Sequence, residues 1–514
     1  MFTRSLRFSF CSGDQGETVK IVFVASEGVP FSKTGGLADV VGALPKALAA
    51  HGHEVQVILP RYRMTKPGPV LPEGQGVTVP LASGLRFVSV QDGGEFAGVR
   101  HCLVEFPEFF DREGLYQQNG QDYPDNPLRF GAFSMAALEF IKRSPAPPDI
   151  IHCHDWQTAL VPIYLHSLYQ EDHYFERSSV VFTIHNLGYQ GIFPPEILPQ
   201  LSLDPGLMTM DSLEFFGKVN LLKGAIIYSD FITTVSPKYA EEIQTAEFGF
   251  GLEGVLKQRG DRLRGIVNGV DYEPWNPATD KLIPANYSLD NMKGKMLCKK
   301  ALLEKMGARQ PVLNRPVLGI VSRFDRQKGF DLIADAADQI MAMSLYIVAL
   351  GTGDPTYEEF FRETAAKFPD KFLVKVAYDN ALAHQIEAGA DIFLMPSRYE
   401  PCGLNQIYSM KYGTIPVVRA TGGLENTVEP FDGRAGTGFK FTKYSADAML
   451  SAIRQAVEAY HRPSAWGQVM RNCMQKDFSW PVSAADYLKI YEEQRRAKLE
   501  SIPTEEPASE SAVV

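Results

Sequence analysis

The stretch Lys33-Thr-Gly-Gly-Leu37 joins a β-branched run to an apolar helical one, and its residue types suit an anion. Two glycines let backbone approach a ligand, a helix N-terminus offers unpaired N–H groups and a positive dipole, and Lys33 adds a mobile cation. The spacing is neither GxGxxG nor the P-loop pattern, and on spacing alone a glycine turn with a solvated lysine fits equally well. Arg323 and Lys328 lie five apart on a turn leading into Gly329, so two permanent cations can converge where a diphosphate would sit. A solvated basic turn is the competing reading. Glu400 follows an apolar run and precedes Pro401 and Gly403, which bend the chain, so its carboxylate can reach a cleft. Cys402 reads as a packing thiol, because no adjacent histidine supplies the activation a nucleophile needs. His152, His154 and Asp155 have the types of a metal cluster, yet strand alternation points the two histidines to one face and Asp155 to the other. Zinc is therefore rejected, and no metal site or cofactor is expected.

These residues need elements to hold them, and each follows a predicted strand. Runs at 20–25, 54–60, 149–154, 179–185 and 230–236, with a helix at 37–51, have the βαβ pattern of a parallel sheet. A second series at 316–323, 344–350, 371–376, 391–396 and 414–418 repeats it. Open α/β sheets bind ligands at the carboxyl ends of their strands, where the residues above lie. The Gly, Pro and Asn of residues 268–277 mark the boundary between the two series. The expected architecture is α/β, two Rossmann-like domains at 19–270 and 271–477 with a cleft between. A helix follows at 478–498, after an unstructured extension at 1–18 and before a polar tail at 499–514.

The whole chain narrows the function classes. Its 514 residues suit two or more cores rather than one small module. The net charge of −10 and the lack of a basic tract exclude nucleic acid as a general partner. Six dispersed cysteines (Cys11, Cys102, Cys153, Cys298, Cys402, Cys473) suit free thiols in a reducing compartment, so a cytoplasmic location is expected. No stretch reaches the roughly 18 apolar residues of a spanning helix, so no membrane association is expected. Arg4, Arg7 and several serines give residues 1–18 a faint targeting flavour, against a plain extension or a start assigned too early.

Taken together, the motifs resemble the bacterial glycogen synthase and starch synthase family, retaining glucosyltransferases of GT-B architecture. Lys33-Thr-Gly-Gly-Leu37 is followed, in family order, by His152-Cys-His-Asp-Trp156, Thr183-Ile-His-Asn-Leu-Gly-Tyr-Gln-Gly191, Val267-Asn-Gly-Val-Asp271, Ser322-Arg-Phe-Asp-Arg-Gln-Lys-Gly329, Glu400-Pro-Cys-Gly-Leu404 and Thr421-Gly-Gly-Leu424. The resemblance spans residues 19–491. It implies transfer of glucose from ADP-glucose to the non-reducing 4-hydroxyl of an α-1,4-glucan, glycogen or starch, with retained configuration. A UDP-glucose transferase with a small acceptor is the rival.

The resemblance also implies roles. Lys33, His185, Arg323, Lys328 and Glu400 are expected to be catalytic: Arg323 and Lys328 neutralise the leaving diphosphate, Glu400 holds glucose hydroxyls, and His185 contacts the sugar. Gly35, Gly36, Thr421, Gly422 and Gly423 are expected to bring donors to phosphate from both domains. Asp39, Tyr116 and Asp155 line the glucan side, joined in the substrate set by Asn186, Asn268, Cys402, Gly403 and Leu404. Tyr378 either stacks on the nucleobase or packs in the core. Many wider GT-B relatives carry a second glutamate eight positions after the first, where this chain has Tyr408. Closure of the cleft would assemble the site, with hinges at 268–277 and 477–481.

Overall fold

The computed structural model describes residues 17–66, 76–81, 84–308 and 312–502. The expectations for residues 1–16 and 503–514 lie outside the described residues. Two sheets dominate. The first orders its strands Leu263–Gly265, Phe231–Thr234, Ser179–Ile184, Ile150–His154, Lys20–Val24, Glu54–Pro60, Val99–Glu105, Gly84–Phe96 and Val77–Leu81. The pairings are parallel from Leu263–Gly265 through Val99–Glu105, and the last two strands are antiparallel. Ile150–His154 and Ser179–Ile184 are buried at every position, as strands covered by helices on both faces must be.

The second sheet is parallel throughout, in the order Phe372–Val376, Tyr346–Gly351, Val317–Val321, Ile392–Met395, Ile415–Arg419 and Phe439–Phe441. The chain is thus an α/β protein of two Rossmann-like domains, the GT-B arrangement. The antiparallel edge of the first sheet was not foreseen. Its strand Gly84–Phe96 alternates in burial and shifts register between Asp92 and Gly94, a bulge in a segment rich in glycine.

The helix Trp480–Ser501 packs on the first domain, against the helix Gly36–Ala50. Its Trp480, Ala484, Tyr487, Leu488, Ile490 and Tyr491 join Val19, Ile21 and Phe23 in one apolar core. It runs three residues past the expected end at 498, so part of the predicted tail is helical, because the first strong breaker is Pro503. Arg495 ties it down through Glu17 at 2.8 Å and Asp149 at 2.9 Å. The two chain crossings between domains lie side by side: Val270 N–H donates to Phe478 O at 2.8 Å, in a parallel bridge of Val270 with Ser479. Among the described residues no helix is long and apolar enough to cross a membrane.

Candidate active site

The Lys33 loop is held from beneath by a carboxylate that sequence reasoning missed. Glu27, three residues past the strand Lys20–Val24, accepts the Thr34 backbone N–H and takes the Thr34 hydroxyl at 2.9 and 3.0 Å. Burial pushes the Glu27 carboxyl up to about 7; the Thr34 donors oppose the shift, and Asp39 reinforces it. Lys33 Nζ reaches Asp39 at 2.6 Å. Gly35 and Gly36 open the helix Gly36–Ala50, and a Cβ built on either would meet nothing within 4 Å. Gly35 has extended backbone (φ −151°), which any residue adopts. The protein's own packing therefore does not require glycine at either position, and the open space leaves room for a ligand to approach the backbone.

The strands Ile150–His154 and Ser179–Ile184 end together and bring histidines and an acid to one place. His152 and His154 share a face, their ring centroids 4.2 Å apart. His152 lies between Thr183 Oγ1 (2.6 Å) and Tyr491 OH (2.7 Å), a structural post linking the last helix to the sheet. His154 Nδ1 is 3.0 Å from His185 Nε2. Burial pushes His185 down to about 3, so its ring is neutral at working pH and offers a hydrogen bond rather than a charge. Asp155 stands on left-handed backbone (φ 54°) at the end of its strand. Its carboxylate accepts the His185 N–H at 2.7 Å and orients the loop that carries His185 and Asn186. Burial pushes Asp155 up to about 7 against the His185 and Asn186 N–H groups, with the Glu27 charge adding to the rise. Tyr116 is half-buried, its hydroxyl 2.8 Å from Ser26 Oγ and its ring packed on Phe130. Asn268 is buried and its Oδ1 has no partner, an acceptor group left for something other than the protein.

On the second domain, the turn Arg326–Lys328 is capped by Asp325, which accepts the Lys328 N–H at 3.1 Å and pairs with Arg323 at 2.6 Å. Burial opposes the Arg323 charge, but Asp325 and Tyr189 outweigh it and raise its pKa. Gly329 is left-handed (φ 79°) and lies so close to Pro396 O that a side chain there would collide. That approach brings Lys328 Nζ to both oxygens of Glu400, at 2.7 and 2.8 Å. Ser397 Oγ donates to the same carboxylate at 2.9 Å. The expected diphosphate cation and the expected sugar-binding acid are thus one ion pair. Arg323 keeps its side chain half exposed while paired with Asp325.

The second glycine pair differs from the expectation. Thr421 Oγ1 and Gly422 N–H both donate to Glu242, at 3.0 to 3.2 Å, and Glu242 belongs to the first domain. Gly423 N–H goes to the carbonyls of Glu400 and Pro401 at 3.1 Å. These donors are spent on the protein, not aimed at phosphate. Gly422 (φ 45°) and Gly423 are glycines because the Glu400 to Cys402 backbone lies against them. Glu242 gave no sequence signal, being one of two adjacent acids in a charged helix, Pro237–Glu242. Gly403 (φ 73°) turns the elbow, and Leu404 leads into the helix Asn405–Lys411. Cys402 is buried, and that burial pushes its thiol up to about 12, a packing group. Tyr378 is 86% exposed, which removes the core-packing alternative. Tyr408 stacks on Trp275 at 4.2 Å, and Trp275 on His384 at 3.7 Å, so an aromatic sandwich fills the place of the second glutamate.

The two halves of the site meet. Phe250 and Tyr399 rings lie 5.7 Å apart, Ser236 Oγ donates to Pro401 O at 2.6 Å, and Lys238 N–H to Asn426 Oδ1 at 2.8 Å. Known proteins share this plan. Residues 20–258 match the starch synthase catalytic domain family and residues 304–472 the group 1 glycosyl transferases. A glycogen synthase of Koribacter versatilis is 53% identical over 93% of this chain and 99% of its own length. One from Geotalea daltonii is 46% identical over 92% of this chain and 98% of its own. The solved catalytic domain of starch synthase IV from Arabidopsis thaliana, bound to ADP and acarbose, superposes with a TM-score of 0.85 at 35% identity, covering 93% of this chain and 100% of that one. With motifs, fold and near full-length identity in agreement, the chain belongs to the glycogen synthase and starch synthase family of glycosyltransferases.

Proposed function

We propose that this member of the family moves glucose from ADP-glucose to the non-reducing 4-hydroxyl of an α-1,4-glucan, in the cytoplasm. The observation that supports the reading is the Lys328 to Glu400 ion pair, with Arg323 bound to the same Asp325 that caps the Lys328 turn. Lys33, Arg323 and Lys328 take the diphosphate, and their fixed charges stabilise it as the glycosidic bond loosens. Glu400 takes sugar hydroxyls next to the reacting carbon, and its charge favours the oxocarbenium character that develops there. His185, pinned by Asp155 and His154, hydrogen-bonds the sugar without carrying charge. The acceptor hydroxyl attacks from the side the diphosphate leaves, and a diphosphate oxygen accepts its proton, so configuration is retained. Asn268 supplies an acceptor for a substrate hydroxyl.

Glucose transfer to glycogen from ADP-glucose and from UDP-glucose, with kcat/KM for each, tests the reading. ADP-glucose is expected to lead clearly. A preference for UDP-glucose, or transfer to a small sugar in place of glucan, overturns it.

A further inference from the structure

Among the described residues two bulky side chains stand on left-handed backbone, Phe216 and Phe250 (φ 50° each). Each precedes a glycine that is also left-handed, Gly217 (φ 77°) and Gly251 (φ 85°). Phenylalanine is rarely found in this conformation, and neither ring offsets the strain by burial, since Phe216 is 83% and Phe250 43% exposed. The two turns touch. A Cβ on Gly251 would lie 2.9 Å from the Phe215 ring and 3.4 Å from that of Phe216. Both turns are also fastened. Gly217 N–H donates to Glu214 at 2.8 Å, while Gln190 donates to Phe250 O at 3.2 Å and accepts from Asn220 at 2.7 Å. Gln190 lies five residues past His185, so the turns are tied to the loop that carries the site histidine.

The Phe250 ring in turn faces Tyr399, the residue before Glu400. A band of aromatic side chains therefore runs outward from half-buried Tyr399, next to Glu400, to Phe250 and, across Gly251, to Phe216, the last two exposed. We propose that Phe250 and Phe216 form a platform on which glucose rings of the acceptor glucan stack, at units beyond the reacting end. The inference rests on the glucan-acceptor reading above. One face of a pyranose carries C–H groups and its rim carries hydroxyls, so it lies flat on the negative face of an aromatic ring while its rim stays in water. Exposed apolar surface next to a polar cleft marks a ligand groove. A polymer whose end reacts at Glu400 extends along the band that begins there, which favours glucan over an unrelated protein partner.

Phe216→Asn and Phe250→Asn remove a ring while keeping a residue that tolerates left-handed backbone. Phe216→Tyr keeps the ring. KM and kcat are measured with glycogen, maltoheptaose and maltotriose at fixed ADP-glucose. The expected result is a KM raised about tenfold for glycogen and maltoheptaose in the Asn variants, from the loss of one stacking contact. kcat and the maltotriose KM stay unchanged, the melting temperature holds, and Phe216→Tyr behaves as the unaltered protein. Equal KM shifts for maltotriose and maltoheptaose, or no shift with either, overturn the platform. Failure of the unaltered protein to transfer to any glucan overturns the acceptor reading itself, and the platform with it.

Discussion

Lys328 and Glu400 satisfy each other, so each substitution has two separable costs. Lys328→Ala leaves a buried carboxylate held only by Ser397, and stranding a buried charge of this kind costs about 3–5 kcal/mol. The variant is expected to lose thermal stability and at least about a hundredfold in kcat, as loss of a preorganised charge does. Adding Glu400→Gln removes the stranded charge, so the double variant should regain melting temperature but not kcat. Recovery of both would show that the pair is structural alone. The buried acids beneath the first domain's loops give a pH signature. Glu27 and Asp155 both sit near 7, above the usual value of about 4, so they bind protons more tightly folded than unfolded. Their contribution to stability is full below about pH 4 and is lost as pH rises through about 7. Melting temperature measured from pH 5 to 8 should fall less steeply in Glu27→Gln and Asp155→Asn than in the unaltered protein. An equally steep fall in both variants would assign the titration to other groups.

The two glycine pairs look alike in sequence and act differently as elements. Gly35 and Gly36 have open space where a side chain would go, whereas Gly422 and Gly423 are pressed against the Glu400 to Cys402 backbone. Gly35→Ala is expected to leave the melting temperature unchanged and raise the ADP-glucose KM about tenfold, because only ligand approach is blocked. Gly423→Ala is expected to destabilise or misfold the chain; a stable and active Gly423→Ala protein would contradict the packing argument. The same contrast shows what was legible beforehand. The parallel strands read clearly because they are short, β-branched and buried on both faces, and the site residues follow them directly. Two adjacent glycines, Gly93 and Gly94, interrupt the edge strand Gly84–Phe96, and no chemistry drew attention to it or to its neighbour Val77–Leu81. Partners joined only by folding, Glu242 with Thr421 across 179 positions or Lys328 with Glu400 across 72, leave no local trace. That is why Gly422 and Gly423 were read as phosphate donors, when a carboxylate from the other domain holds Gly422 and the adjoining elbow holds Gly423.

At the scale of the whole molecule, the same carboxylate ties the domains together. Glu242, buried and raised in pKa by that burial, holds Thr421 and Gly422, while Ser236 and Lys238 of the same helix start hold Pro401 and Asn426. On the opposite side of the balance are the two crossings at Val270 and Ser479, bonded to each other and to Tyr272, which can bend as one joint. Gly269 is part of that joint, since a Cβ there would lie 2.6 Å from Trp480 Cα. In the proposed reading donor binding draws on Lys33 from one domain and Arg323 from the other, so a ligand that bridges them would stabilise the closed form by contacts absent from an open one. Hydrogen bonds to a charged group contribute about 1.5–3 kcal/mol each, so Glu242→Ala should shift the closed-to-open ratio by about tenfold or more. Small-angle scattering is expected to show a larger radius of gyration for Glu242→Ala than for the unaltered protein. Saturating ADP should then bring the two values together, because the bridging contacts supply what the latch no longer does. A variant whose radius matches the unaltered protein without ADP would show that the joint, not Glu242, holds the domains closed.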